Sequence, residues 1–260
     1  MDSKQRIKLK LKQYFPRLVY SYLGFKHKYH SERIKILKNL NVDVVFDVGA
    51  NVGLYAHAIR HNGFNGKIVS FEPQKDAFQQ LEYFSNNDNN WIAVNYALGA
   101  DNTNSEINIS ENSVSSSILD NSKNLDILCP EAKFTKKETI EIKRLDTVID
   151  DFCNQNDKLF VKIDTQGYET EVINGSFGCL DRIMGFQLEL TFIELYKNEK
   201  TFLDMIQFMN SIGYELVNIG EGWNDGKTGY AIQIDGIFAK KQILLIYFLS
   251  IKKIFVNLNS

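Results

Sequence analysis

The stretch V-V-F-D-V-G-A-N-V-G-L-Y, residues 44–55, runs from apolar residues into an acid, two glycines and an asparagine, then returns to an apolar pattern. Val44, Val45, Phe46 and Val48 flank Asp47 in a run too short for a globular helix and rich in β-branched side chains. Such a run reads as a central strand of a parallel sheet. Glycine takes backbone conformations that other residues avoid and lets a ligand approach the main chain. The turn through Gly49, Ala50, Asn51 and Gly53 is therefore expected to be a cofactor loop between a strand and a helix.

Outward from this turn the pattern alternates. A helical stretch with Leu54, Ala58 and Ile59 on one face stops at Asn62-Gly63. The strand K-I-V-S-F-E (67–72) leads through Pro73 into a helix carrying Phe78, Leu81 and Phe84, and W-I-A-V-N-Y-A-L (91–98) reads as a third strand. Residues 99–137 break the rhythm with Asn, Ser and Asp, and read as a long polar loop. The alternation returns with T-I-E-I-K-R-L, a helical T-V-I-D-D-F, the strand L-F-V-K-I-D (159–164) and a helix from about 169. A strand G-F-Q-L-E-L follows, then a helix with Phe202, Ile206 and Met209 on one stripe, closed by Gly213. The last pair, Y-E-L-V-N-I and A-I-Q-I-D-G-I-F-A, is joined without a helix, so these two strands must be antiparallel. The expected fold is α/β, a doubly wound, mostly parallel sheet with an antiparallel last strand.

With 260 residues, 44% apolar and 24% charged, the chain fits one main domain, placed at 41–240. A basic, helical N-terminal arm (1–40) precedes it and a basic, apolar tail (241–260) follows. Cys129, Cys153 and Cys179 lie far apart with no C-x-x-C pair, which argues against a disulfide framework or structural zinc and for the cytoplasm. No run of roughly 20 apolar residues exists to span a bilayer. The net charge of -2 hides an asymmetry, since the arm holds eleven Lys or Arg against Asp2 and Glu32. Its alternation of cations with apolar residues (Lys8, Leu9, Lys10, Leu11, Lys12), matched in the tail by Tyr247, Phe248, Lys252 and Lys253, predicts peripheral contact with an anionic membrane at its inner face. Packing of both ends on the core or on a second subunit, as in a homodimer, is the competing expectation. The acidic remainder argues against nucleic acid as a partner.

An acid at the end of the second strand, Glu72, suits the ribose of either a nicotinamide cofactor or S-adenosylmethionine. The first turn favours the latter. A dinucleotide fold uses G-x-G-x-x-G to seat a pyrophosphate, whereas G-A-N-V-G follows Asp47, an acid that can attract the ammonium of S-adenosylmethionine. The alternatives are a nicotinamide-dependent oxidoreductase and a non-catalytic nucleoside-binding protein of the same fold. Asp164 ends the fourth strand, where the ligand crevice of such sheets lies, and a carboxylate there can orient or deprotonate a hydroxyl; capping of the next helix is its other reading. Glu169 and Glu189 are weaker candidates of more structural character. His57 and His61 are expected on a solvated helix surface, with no metal site.

Seven blocks in order resemble the FkbM-type methyltransferases: V-F-D-V-G-A-N-V-G (45–53), S-F-E-P (70–73), V-N-Y-A-L-G (94–99), V-S-S-S-I-L (114–119), L-D-T-V-I-D (145–150), V-K-I-D-T-Q-G-Y-E (161–169) and I-D-G-I-F (234–238). The resemblance covers about residues 41–240. It implies a seven-stranded, Rossmann-like methyltransferase fold and O-methylation from S-adenosylmethionine. It further implies that the Gly49–Gly53 turn holds the methionyl part of the donor, with Asp47 near its ammonium, Glu72 on the ribose, and Asn95 and Ala97 beside the adenosine. The acceptor it suggests is a sugar hydroxyl of a surface polysaccharide, a glycolipid or another glycosylated metabolite. Gln166 departs from the family's pattern, where many members carry an acid.

Overall fold

The computed structural model describes residues 28–244. The residues expected to face a membrane, 8–22 and those from 245 onward, lie outside them. Among the described residues no helix is long and apolar enough to cross a membrane.

The main sheet has seven strands in the order β3-β2-β1-β7-β8-β10-β9. They are β1 (Val44–Val48), β2 (Lys67–Phe71), β3 (Trp91–Val94), β7 (Leu159–Ile163), β8 (Ile183–Thr191), β9 (Tyr214–Asn224) and β10 (Ala231–Lys240). β10 runs antiparallel to both β8 and β9, and the other pairings are parallel. Strand order reverses between β1 and β7, so a crevice opens at their carboxyl ends. β1 is buried along its whole length, the condition under which a strand reads as a continuous apolar run.

Alternation along the strands builds two apolar layers. Val44, Phe46, Val48, Val161, Ile163, Phe186 and Leu188 pack with α7 (Phe202–Ser211) and α6 (Glu169–Asn174) on one face. Val45, Phe160 and Ile237 pack on the other with α1 (Lys28–Asn39), α2 (Leu54–His61) and α3 (Lys75–Ser85). Each large apolar side chain buried in these layers contributes about 1.5–3 kcal/mol. Ile34, Leu37 and Leu40 are in the second layer, so the helix that the sequence assigns to the basic arm shares the core of the domain.

Two sequence expectations change. The third strand stops at Val94, because Asn95 turns the chain by donating its amide to the carbonyls of Glu72 (2.9 Å) and Pro73 (3.2 Å). Ala97 and Leu98 then form β4 of a separate sheet, ordered β4-β6-β5. The polar segment 99–137 is built rather than open, with β5 (Thr103–Ser110), α4 (Lys123–Leu128) and the start of β6 (Phe134–Lys143). Its core is small, Ile107 and Ile109 against Ile140, Ile142 and Ala97, and its serines and asparagines bond to one another and to the main chain. α5 (Leu145–Val148) connects this layer to β7.

Candidate active site

The turn after β1 folds over the end of β2: the N–H groups of Gly49 and Ala50 both donate to the Phe71 carbonyl at 3.0 Å. Gly49, Asn51 and Gly53 adopt left-handed backbone, with φ of 72°, 48° and 84°. At Gly49 the requirement is also steric, since a Cβ would lie 1.9 Å from the Asp164 carbonyl oxygen. Asn51 tolerates this conformation because its Oδ1 accepts from the Val52 N–H at 2.8 Å.

The Asn51 N–H donates 2.7 Å to the Glu72 carboxylate, which also accepts from the Gln74 N–H at 2.8 Å. Glu72 is 2% exposed. Burial pushes its carboxyl up to about 7, against the pull of those two N–H groups. Since the folded value exceeds the ordinary 4.5, the folded chain holds this proton more tightly than the unfolded chain. The stability it contributes is full below about 4.5 and is lost as pH rises to about 7. Thermal melts of the ligand-free protein across that range should therefore show a shallower loss in Glu72→Gln than in the native chain; identical slopes would contradict the assignment.

A polar row crosses the sheet on the α1/α2 side. Asp47, Lys162 and Gln187 share one register level on β1, β7 and β8, and Glu189 pairs with Asp235 one step further along. Lys162 is 7% exposed and Asp47 0%. The Lys162 Nζ lies 3.2 Å from Asp47 and 3.3 Å from Asp164. Burial alone would lower Lys162, but the charges of Asp164 and Asp47 overcome it and hold the ammonium above its ordinary range. Burial raises the Asp47 carboxyl, with Lys162 opposing the shift. From α1, Arg33 reaches Asp235 at 3.6 Å and lies 4.8 Å over the Tyr55 ring.

Gln166, at φ 58°, links these groups. Its Nε2 donates to Asp164 at 2.7 Å and to Glu189 at 3.0 Å, and its Oε1 accepts from the Tyr196 hydroxyl at 2.8 Å. Its carbonyl accepts from Ser117 Oγ at 2.7 Å, tying the segment 112–117 to the site.

All of this surrounds a cleft of about 530 Å³. One side is formed by Gly49, Ala50, Asn51, Glu72 and Ala97 with the apolar Phe71, Leu98 and Ile107. The other is formed by Lys162, Asp164, Gln166, Gln187, Glu189, Gln233 and Asp235. Asp47, Gly53 and Asn95 do not line the cleft; Asp47 lies behind the turn on Lys162, Gly53 starts α2 against Trp91 and Leu81, and Asn95 braces the end of β2. Glu169 closes the turn before α6 by accepting from Thr165 and Gly167. Of the two histidines expected on a solvated surface, His61 is exposed, whereas His57 is half-buried, its ring clamped edge-on by Phe84 and Trp91 at 5.0 Å each. Among the described residues no three His, Cys, Asp or Glu converge to hold a metal ion.

The model of the methyltransferase FkbM domain family matches residues 47–216, from the β1 acid to β9. The chain belongs to the FkbM methyltransferase family. It is an S-adenosylmethionine-dependent methyltransferase. A comparison with curated proteins finds no match. Solved structures similar to this FkbM chain include a SAM dependent methyltransferase from Aquifex aeolicus, at 12% identity over 90% of this chain and 96% of that one, with a TM-score of 0.40. A precorrin-6y C5,15-methyltransferase from Geobacter metallireducens shares 14% identity over 81% of this chain and 87% of its own, TM-score 0.42. An rRNA methylase from Streptococcus thermophilus shares 9% over 82% and 95%, TM-score 0.44.

The residues present fit S-adenosylmethionine. The donor side of the cleft offers apolar side chains for a purine and the open lone pairs of Glu72 for a diol, beside a turn whose backbone forms the wall. Sequence reasoning did not single out Lys162, and it noted Gln166 only as a departure from the family's pattern. Lys162 had a signal, a cation inside the otherwise apolar L-F-V-K-I, which is rarely buried unless paired.

Proposed function

We propose that the protein methylates a sugar hydroxyl, in a surface polysaccharide, glycolipid or other glycosylated metabolite, with Asp164 orienting the hydroxyl and taking its proton. One observation carries this reading: the wall facing the donor turn is rich in carboxylates and primary amides, Asp164, Glu189, Asp235, Gln166, Gln187 and Gln233, with Lys162 and Arg33 held against its acids. Such groups meet hydroxyls directionally and repel phosphate-rich chains. Trp223, half-buried, lines the same cleft and offers apolar surface for a sugar ring.

In this reading Gly49, Ala50 and Asn51 hold the methionyl part of S-adenosylmethionine, Glu72 accepts from its ribose and Ala97 lies beside the adenine. Asp47 supports the site through Lys162, and Asn95 through Glu72. S-adenosylmethionine, when bound, supplies an electrophilic methyl group on a sulfonium. The Asp164 side chain is 37% exposed, open to an incoming hydroxyl, while Lys162 and Gln166 fix its two oxygens from opposite partners.

Titration calorimetry with S-adenosylmethionine should show Glu72→Ala weakening affinity about tenfold or more, the scale of hydrogen bonds to a charged group. Unchanged affinity would remove Glu72 from the donor site. Turnover against nucleotide sugars and extracted surface glycans then tests the acceptor class.

A further inference from the structure

The acceptor wall is short of hydrogen-bond donors. Lys162 compensates Asp47 and Asp164, and Arg33 compensates Asp235. The hydrogen-bond partners of Glu189 are instead two neutral amides, Gln166 Nε2 at 3.0 Å and Gln233 Nε2 at 2.9 Å. A carboxylate has about four acceptor positions, so these two amides leave Glu189 room for further donors on its cleft side.

A second observation does not depend on the acids. Gln187 is 3% exposed and lies on the same wall, with its Nε2 committed to Asp235 at 3.2 Å. Its Oε1 is buried without a hydrogen-bond partner. Buried acceptors are almost always satisfied, and an exception lining a cleft points to a ligand that donates. The Tyr55 hydroxyl, on the same lining, is also buried without a partner.

A metal ion would meet this demand, but the described carboxylates do not converge to bind one. An ammonium meets it with three donors, no acceptor and a positive charge. Trp223 also lines the cleft, and an indole ring attracts a cation held over its face. Because Asp164 and Glu189 bond to the same Gln166 nitrogen, they lie within reach of neighbouring substituents on one sugar ring.

Resting on the reading of the cleft as a sugar O-methyltransferase site, we infer that the acceptor is an amino sugar or aminocyclitol, its ammonium received by Glu189 and Gln187 and its hydroxyl by Asp164. The new C–O bond forms as the methyl–sulfur bond breaks, leaving its electron pair on sulfur. The hydroxyl proton passes to Asp164, and the ammonium keeps its protons throughout.

The test measures methyl transfer by the full chain from labelled S-adenosylmethionine to gluco-, galacto- and manno-configured amino sugars and aminocyclitol glycosides. Each amine is assayed beside its N-acetylated and its hydroxyl counterpart. At least one amine should show kcat/KM about tenfold to a hundredfold above both counterparts, with the methyl on oxygen by fragmentation mass spectrometry. Glu189→Gln should erase most of that preference while calorimetric affinity for S-adenosylmethionine is retained. Equal or faster transfer to the N-acetylated or hydroxyl counterparts, or methylation on nitrogen, overturns the inference and leaves methylation of a sugar standing in the first case. Transfer to no sugar of any kind by protein that still binds S-adenosylmethionine overturns both.

Discussion

Replacing Lys162 with methionine should destabilise the fold by about 3–5 kcal/mol, the cost of removing one partner from a buried ion pair. Asp47 has no exposure and would keep only the weak Ser70 contact at 3.3 Å, in place of an ammonium at 3.2 Å. Urea denaturation at neutral pH measures the loss, and an unchanged m-value assigns it to the native state. The pH dependence gives a second check. Without Lys162, burial drives the Asp47 carboxyl still further above its ordinary 3.8, so its contribution is full below about 3.8 and is lost as pH rises. The deficit of Lys162→Met relative to the native chain should accordingly grow from acid toward neutral pH. Adding Asp47→Asn should recover a large part of it, because the two residues are in contact and their substitutions couple. A loss below about 1 kcal/mol, the level of an exposed pair, would mean that water reaches Asp47.

This row of charges also explains what could be read in the sequence and what could not. The β1 strand, its turn and the βα alternation were legible because each depends on local pattern, apolar runs and glycines with positive φ at 49 and 53. The antiparallel final strand followed from the missing crossover helix. The break after Val94 was not legible, because it rests on the Asn95 side chain reaching main-chain carbonyls more than twenty residues back. The layer over 99–137 was hidden for a related reason: only Ile107 and Ile109 carry its strand period, while its serines satisfy one another. Within the site, Asp164 and Glu72 could be placed at strand ends. The pairing of Asp47 with Lys162 and the bridge made by Gln166 depend on register between strands over a hundred residues apart, which no local pattern encodes.

Asp164→Asn should lower methyl transfer about a hundredfold while leaving affinity for S-adenosylmethionine intact, the scale expected when a general base is lost. The competing reading, that Asp164 caps the following helix, finds no support in the local bonding. α6 begins at Glu169, its N-cap Tyr168 makes no side-chain capping bond, and the Thr165 and Gly167 N–H groups go to the Glu169 carboxylate. The Asp164 oxygens instead accept from Gln166 and face Lys162, which orients the carboxylate toward the cleft without closing it off. Asparagine preserves the volume and one acceptor but cannot take a proton. Lys162 would still have Asp47, so the fold should survive the change, and a melt recorded beside the kinetics verifies this. Initial rates with a methylated acceptor, together with calorimetry, separate the two roles. A rate near that of the native chain would reduce Asp164 to a counter-charge for Lys162 and move the proton acceptor to another group on the wall, with Glu189, one amide away, as the next residue to replace.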